Sequence, residues 1–344
     1  MISIPRLPLF LFLERTMKRV SIGGQAVLEG VMMKGPKSYA LAVRKPDKEI
    51  EVQVTPYVSM GERHKSLSIP ILRGVVNFLE SLFIGMKTLM ASSEYFEEEE
   101  DTADAKEKTG SEVKEAGSEI KEEKTEKTEK EGSNTGYLVL TLIISLVIAI
   151  GVFMLLPAFV ANFLYKLTSS HLLVNTAEGI LRLLIFLGYV ALISRMEDIK
   201  RTFMYHGAEH KSINCLEAGD DLTVENVRKH TRFHKRCGTS FVFIVMIISI
   251  FVFMFVRTDI LWLRLLSRVL LIPLVAGISY EFIRYAGLHR NKCSNVLSAP
   301  GLWVQRLTTK EPDDEMIEVA IKSVEGVIDW REYVDHVRNN SFEA

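Results

Sequence analysis

Residues 137–160, YLVLTLIISLVIAIGVFMLLPAFV, contain no charged side chain. About 20 apolar residues wound as a helix cover the ~30 Å hydrocarbon core of a bilayer, so this run dictates a membrane-spanning helix. A second charge-free run, residues 239–256 (TSFVFIVMIISIFVFMFV), is just long enough for the same role. Residues 174–194 form a third expected span, opening with Glu178 and Arg182, which are four apart and able to pair on one helix face. In residues 260–288 the opening LWLRLLSRV, with Arg264 and Arg268, reads as an interfacial helix, and residues 269–288 then cross. The fold class expected is an α-helical integral membrane protein with about four transmembrane helices (domain 137–288).

Charge is segregated along the chain. Residues 97–131 hold 15 acidic and 7 basic side chains, a net of −8, so a chain of net charge −1 carries +7 elsewhere. The near-neutral total argues against a globally basic nucleic-acid binder, and no nucleic-acid partner is expected. Three cysteines exclude a disulfide scaffold. Loop 195–238 carries nine Lys and Arg residues, whereas loop 161–175 carries Lys166 alone. Positive loops face the cytoplasm, so four spans place both termini and that loop inside, with Cys215, Cys237 and Cys293 in a reducing compartment.

Outside the spans the chain divides further. Residues 1–16 read as an over-extended start, with Met17-Lys18-Arg19 an alternative beginning. Domain 17–93 has a β-containing first part. Its residues 39–45 and 49–55 alternate in polarity around Lys45-Pro46-Asp47-Lys48, a hairpin pattern. Within it, residues 69–91 are apolar with a narrow polar stripe at Arg73, Asn77, Glu80 and Lys87. That pattern predicts a helix lying on the membrane or packed on the bundle rather than a span. Segment 94–136 reads as an acidic disordered linker, too poor in aliphatic residues to bury a core. In the cytoplasmic tail 289–344, residues 311–325 predict an amphipathic helix with Ile317, Ala320, Ile321 and Val324 on one face, started at Pro312-Asp313-Asp314 and stopped at Gly326. The β segment and this helix are the expected docking surfaces for protein partners, beside the lipid bilayer.

Four of the eight histidines lie in 206–234. On a helix His206 and His210 project from one face, the spacing by which two imidazoles share a metal. His-x-x-Glu-His, with Glu209 inside it, is also the pattern of inverted zincin metallopeptidases, in which the carboxylate takes a proton from water. His234-x-x-Cys237 supplies a second ligand pair. His230 is weaker, and Cys215 is an alternative thiolate. Bland readings stand beside this one. His and Arg near a bilayer contact lipid headgroups, and Gly207 disfavours a regular helix. The segment 23–36 reads on spacing alone as a glycine-punctuated strand and turn, without the Gly-Lys-Ser/Thr of a phosphate loop.

Residues 23–33 (GGQAVLEGVMM), 205–211 (YHGAEHK), 222–227 (LTVENV), 236–241 (RCGTSF) and 300–309 (PGLWVQRLTT) resemble the YqhQ family of bacterial membrane proteins. That is a family of unknown function with an old label of predicted metal-dependent enzyme. The resemblance runs from about residue 17 to 330, skipping the acidic linker. It implies a multi-pass protein of the bacterial cell (inner) membrane. It favours His206, Glu209, His210, His234 and Cys237 as site residues, and it places Gly24, Gln25 and Glu29 in a signature string that would face the His cluster. The expected site is a divalent metal, zinc by donor type, held by His206, His210, His234 and Cys237, with Glu209 as general base of a hydrolase. The alternatives are a non-enzymatic membrane scaffold or assembly factor with a structural His/Cys cluster, and, third, a transporter.

Overall fold

A computed structural model describes residues 22–108 and 140–340, apart from the isolated positions 142, 146, 165, 169, 257, 259 and 290. The expected start region 1–16 and residues 109–136 of the acidic linker lie outside the described residues, whereas residues 94–108, read as disordered linker, continue the helix that starts at Leu72.

Strands β1 (Gly23–Val27), β2 (Gly30–Lys34), β3 (Ser38–Arg44) and β4 (Ile50–Pro56) form an antiparallel meander in that order. The hairpin pattern at 39–55 is β3–β4, with Tyr39 opposite Thr55 and the Lys45 N–H donating to the Glu49 carbonyl at 2.9 Å. The glycine-punctuated segment is the β1–β2 hairpin, turned by Leu28 and Glu29, the latter in the left-handed region at φ 48°.

The principal helices are α1 (Leu72–Lys108), α2 (Ile143–Leu164), α3 (His171–Ile193), α4 (Glu197–Ala218), α5 (Val224–Lys229), α6 (Gly238–Phe253), α7 (Leu261–Leu288), α8 (Lys292–Thr308), α9 (Asp314–Glu325) and α10 (Trp330–Asn340). Side chains alternate across a strand, and both faces of this sheet are covered. Val31, Met33 and Ala42 pack with residues of α4 and α9, among them Ala208, Ile317 and Ala320. Met32, Tyr39, Leu41 and Val43 pack with Ile84 of α1. The apolar face expected of the 311–325 helix is therefore spent on the sheet. Asp313 caps α9, its carboxylate accepting from the Met316 N–H at 2.8 Å.

Among the described residues, four helices are long and apolar enough to cross a membrane: Leu72–Phe96 within α1, then α2, α3, and Trp262–Leu288 within α7. The number agrees with the sequence reading, but the set differs. The run at 239–256 becomes α6, which has only 16 residues, about 24 Å at 1.5 Å per residue. Leu72–Phe96, expected on the surface, has the length and hydropathy instead. It packs one face on the sheet through Ile84 and leaves Leu79, Leu82, Phe83, Met86 and Met90 exposed on the other. The second difference concerns the start of α7. It is continuous with the rest of the helix, and Arg264 and Arg268 are buried (1% and 4% exposed) rather than interfacial.

Several polar groups inside the apolar bundle find partners on the same or a neighbouring helix. Arg268 grips the buried Glu178 carboxylate, which also accepts from Arg182 Nη2 at 3.1 Å. Pro157 has no N–H to give the Phe153 carbonyl four residues back. The helix passes through a π turn at Gly151–Leu155, and Arg182 Nε donates to that carbonyl at 3.0 Å. Asn175 Nδ2 likewise donates to the Phe253 and Val256 carbonyls at the end of α6, at 3.1 and 2.8 Å.

Glu178→Ala takes the carboxylate away from Arg268. Removing one partner of a buried ion pair costs about 3–5 kcal/mol. The detergent-solubilised variant is expected to melt well below wild type, and adding Arg268→Leu to recover part of the loss. Equal melting of wild type and Glu178→Ala would show that the pair contributes nothing.

Candidate metal centre

Helix α4 carries Glu197 and Asp198 in its first turn, where acids favour the positive end of a helix. Three turns on, the chain reads Tyr205 to Lys211 without a break, Gly207 included. A Cβ on Gly207 would come 2.0 Å from the Lys310 carbonyl oxygen. The glycine thus lets the chain leaving α8 lie directly against α4, where the Lys310 N–H donates to the Phe203 carbonyl at 2.8 Å.

That approach delivers the Thr308 carbonyl to His206 Nδ1 at 2.8 Å. One turn along, the Arg232 carbonyl meets His210 Nδ1 at 2.7 Å. A carbonyl only accepts, so each Nδ1 is the donor and each Nε2 is turned inward. Cys237 caps the N-terminus of α6, its sulfur accepting from the Thr239 N–H at 3.4 Å. His206 Nε2 lies 3.2 Å from Cys237 Sγ. One ligand atom each from His206, His210 and Cys237 falls within 4.8 Å of the others. A tetrahedral zinc with bonds of about 2.0 Å to nitrogen and about 2.3 Å to sulfur needs ligands about 3.5 Å apart, so small side-chain movements suffice. His210 Nε2 and Glu209 Oε2 are buried with no hydrogen-bond partner. Two orphaned polar atoms beside a soft sulfur are what a site for a cation leaves behind. The residues fit the group.

Electrostatics agree. Burial would push the Cys237 thiol up, but the His206 and His210 imidazoles beside it hold it well below the usual thiol range, and the helix terminus acts the same way. Burial alone would lower His206, yet the Cys237 thiolate outweighs it and raises the imidazole to about 9. Glu209 is raised by burial, which His210, His206 and the Gly24 N–H oppose only in part.

The remaining candidates separate. His234 is buried with its ring 5.7 Å from that of His210, but its Nε2 faces Glu217 at 3.7 Å and it is outside the ligand trio. Burial holds its imidazole below the ordinary value. Gly24 does meet the site: a Cβ there would lie 2.9 Å from the Glu209 side chain and 2.7 Å from the Met32 carbonyl oxygen. Gln25 points through the other face of the sheet, against Gly85 of α1. Glu29 binds Arg201, one bond measuring 2.6 Å, and accepts from the Tyr205 hydroxyl at 3.2 Å, so it fastens the β1–β2 turn to α4. His230 pairs with Asp220 at 2.9 Å. Cys215 is a buried thiol pushed up to about 12 by burial and by Asp220 and Asp221.

Sequence reasoning missed the two carbonyls and Gln305. That glutamine clamps the His-Cys loop, accepting from the His234 N–H at 2.9 Å and donating to the His234 carbonyl and Ser240 Oγ, both at 2.7 Å. Only the signature string 300–309 hinted at it.

Gly207→Ala forces a methyl into the Lys310 carbonyl and pushes Thr308 off His206. Overpacking of this kind costs about 1–3 kcal/mol. The variant is expected to melt lower than wild type, while Gly188→Ala, with open space around it, serves as the neutral control. A Gly207→Ala protein as stable as that control would contradict the close approach.

The family described as "Protein of unknown function (DUF1385)" matches residues 69–330, which include the whole ligand trio. A Bacillus subtilis (strain 168) protein named "Uncharacterized protein YqhQ" is 39% identical over 307 residues, which cover 88% of this chain and 90% of that protein. No solved structure matches. Likeness of that extent, with a family match that takes in the candidate centre, means that the chain belongs to the DUF1385 family of proteins of unknown function.

Proposed function

We propose that this is a multi-pass protein of the bacterial inner membrane that holds a divalent metal, zinc by donor type, on its cytoplasmic face and uses it for hydrolysis. The observation that carries the reading is the pair of buried, unpartnered atoms, His210 Nε2 and Glu209 Oε2, next to the Cys237 thiolate. His206, His210 and Cys237 are the ligands. Three protein ligands leave a fourth position open, the arrangement of catalytic rather than structural zinc. His234 stays outside, turned to Glu217.

Bound there, the ion would supply Lewis acidity, lowering the pKa of a water and polarising a substrate oxygen. The protein's own residues do the rest. The Thr308 and Arg232 carbonyls orient the imidazoles. Glu209, raised by burial toward the range useful to a general base, takes the proton from the attacking water at Oε2 and passes it to the leaving group. Gly24 keeps the space in which that carboxylate stands.

Orientation rests on the nine Lys and Arg residues of 195–238, which favour the cytoplasm. The exposed apolar stripe of α1, opposite its sheet-packed face, suits a helix lying in the membrane surface. The spans are then α2, α3, α6 with the residues that follow it, and α7, and both termini are cytoplasmic.

Metal analysis of the detergent-purified full chain tests this. Wild type is expected to carry a stoichiometric metal that His210→Ala and Cys237→Ser lose. Glu209→Gln is expected to keep the metal and lose function in a deletion strain. A folded, metal-free wild type would end the proposal. Full function in Glu209→Gln would favour a scaffold with a structural metal.

A further inference from the structure

A cavity of about 310 Å³ opens where the last turns of α4, the loop before α6, the end of α7 and α8 meet. His234 forms part of its wall. The cavity therefore lies behind the ligand trio, with one imidazole between them. Phe233, Gly287 and Leu302 belong to its lining, as do the charged Lys235, Arg236 and Glu217.

The two cations differ in their partners. Arg236 is bonded to Glu217. Lys235 Nζ is held only by neutral oxygens, Ser294 Oγ at 3.1 Å and Asn295 Oδ1 at 2.8 Å, and no carboxylate pairs with it among the described residues. An ammonium in a cavity wall without an acid partner attracts an anion, and the fork of a neighbouring guanidinium suits phosphate. Position narrows the source. Gly287 is the penultimate residue of the candidate span Trp262–Leu288. Its missing side chain makes room for Arg236, whose Cγ a Cβ would approach to 2.5 Å. The guanidinium stem is thus threaded under the end of an apolar helix, which the proposed topology puts at the level of the cytoplasmic lipid headgroups. On α8, Trp303 and Val296 stand exposed (51% and 71%), as residues at a membrane interface do. At ~30 Å³ per water, the volume holds about ten waters, room for a headgroup but not for a whole lipid.

We propose that this cavity binds the phosphate of a lipid headgroup from the cytoplasmic leaflet, with Lys235 and Arg236 as donors and the acyl chains leaving past Leu302. It deepens the hydrolase reading by naming a ligand class held beside the metal centre, one imidazole away, and rests on that reading for this link alone. Binding itself needs no metal.

Native mass spectrometry of the detergent-released full chain tests it, with metal-loaded and chelator-treated samples in parallel. Phosphatidylglycerol is expected to bind at least tenfold more tightly than diacylglycerol of the same chains, in both samples. Lys235→Gln is expected to weaken phosphatidylglycerol at least fivefold without changing the melting temperature. Arg236→Lys, which keeps the charge and loses the fork, should weaken it less. Lys322→Gln, on α9 and paired with Glu325, should leave it unchanged. Displacement by millimolar inorganic phosphate would show that phosphate alone suffices, and resistance to it that the lipid is the source. Equal binding of the two lipids, or wild-type affinity in folded Lys235→Gln, would overturn the proposal. Binding that persists in a protein found to hold no metal would leave this inference standing and remove the hydrolase reading.

Discussion

Two backbone carbonyls decide what the histidine pair of α4 can do. Because Thr308 and Arg232 offer only acceptors, His206 and His210 must both spend Nδ1–H on them and turn Nε2 toward Cys237. The rest of the centre is the set of conditions that brings those carbonyls into place. The chain leaving α8 must touch α4, which only a glycine at 207 permits. The loop from 230 to 237 must return to α4 and then begin α6, and Gln305 ties it there from both its N–H and its carbonyl side. Lys211 and Arg232 reach the Glu311 carboxylate from two directions, at 2.7 and 3.1 Å, and fasten the segment after α8 to the same helix.

A sheet packed on both faces supplies the rigid backing. α4 and α9 cover one side and α1 the other, so the residues at β1 cannot shift without disturbing Glu209. On the far side the centre is joined to apolar helices, since Cys237 is the cap of α6. Inside that apolar part the same rule operates at two places, where a side chain meets a freed carbonyl. Arg182 serves the one that Pro157 releases, and Asn175 serves the end of α6. Backbone groups remote from water require this.

Much of the fold was legible in the sequence because its signals are local. The β3–β4 hairpin, the cap at Asp313 and the apolar face of α9 each follow from patterns within a dozen residues. So did the pairing of Glu178 with Arg182, four apart on one helix, although its stronger tie to Arg268 on another helix was not visible. The set of membrane-length helices was read less well. A window of apolar residues does not show that α6 ends at Phe253, too short to cross without the residues that follow it. Nor does it reveal that α1 spends one face on a sheet. At the candidate site, the i, i+3 and i+4 spacing put His206, Glu209 and His210 together on one helix, and the structure brings Cys237, at the start of α6, close to the two histidines. Spacing could not reveal that His234 Nε2 faces Glu217 of α4, nor could the family string that holds Gln25 reveal that the alternation of β1 sends it to the face away from Gly24. The orienting groups were beyond reach, because a carbonyl has no signature in a sequence.

X-ray absorption at the zinc edge of the purified, metal-loaded protein tests the central claim most directly. The account predicts one sulfur at about 2.3 Å, two imidazole nitrogens at about 2.0 Å, and a light non-protein fourth neighbour. Loss of the sulfur shell in Cys237→Ser should accompany it. A first shell with no sulfur, or one closed by a third imidazole from His234, would contradict it.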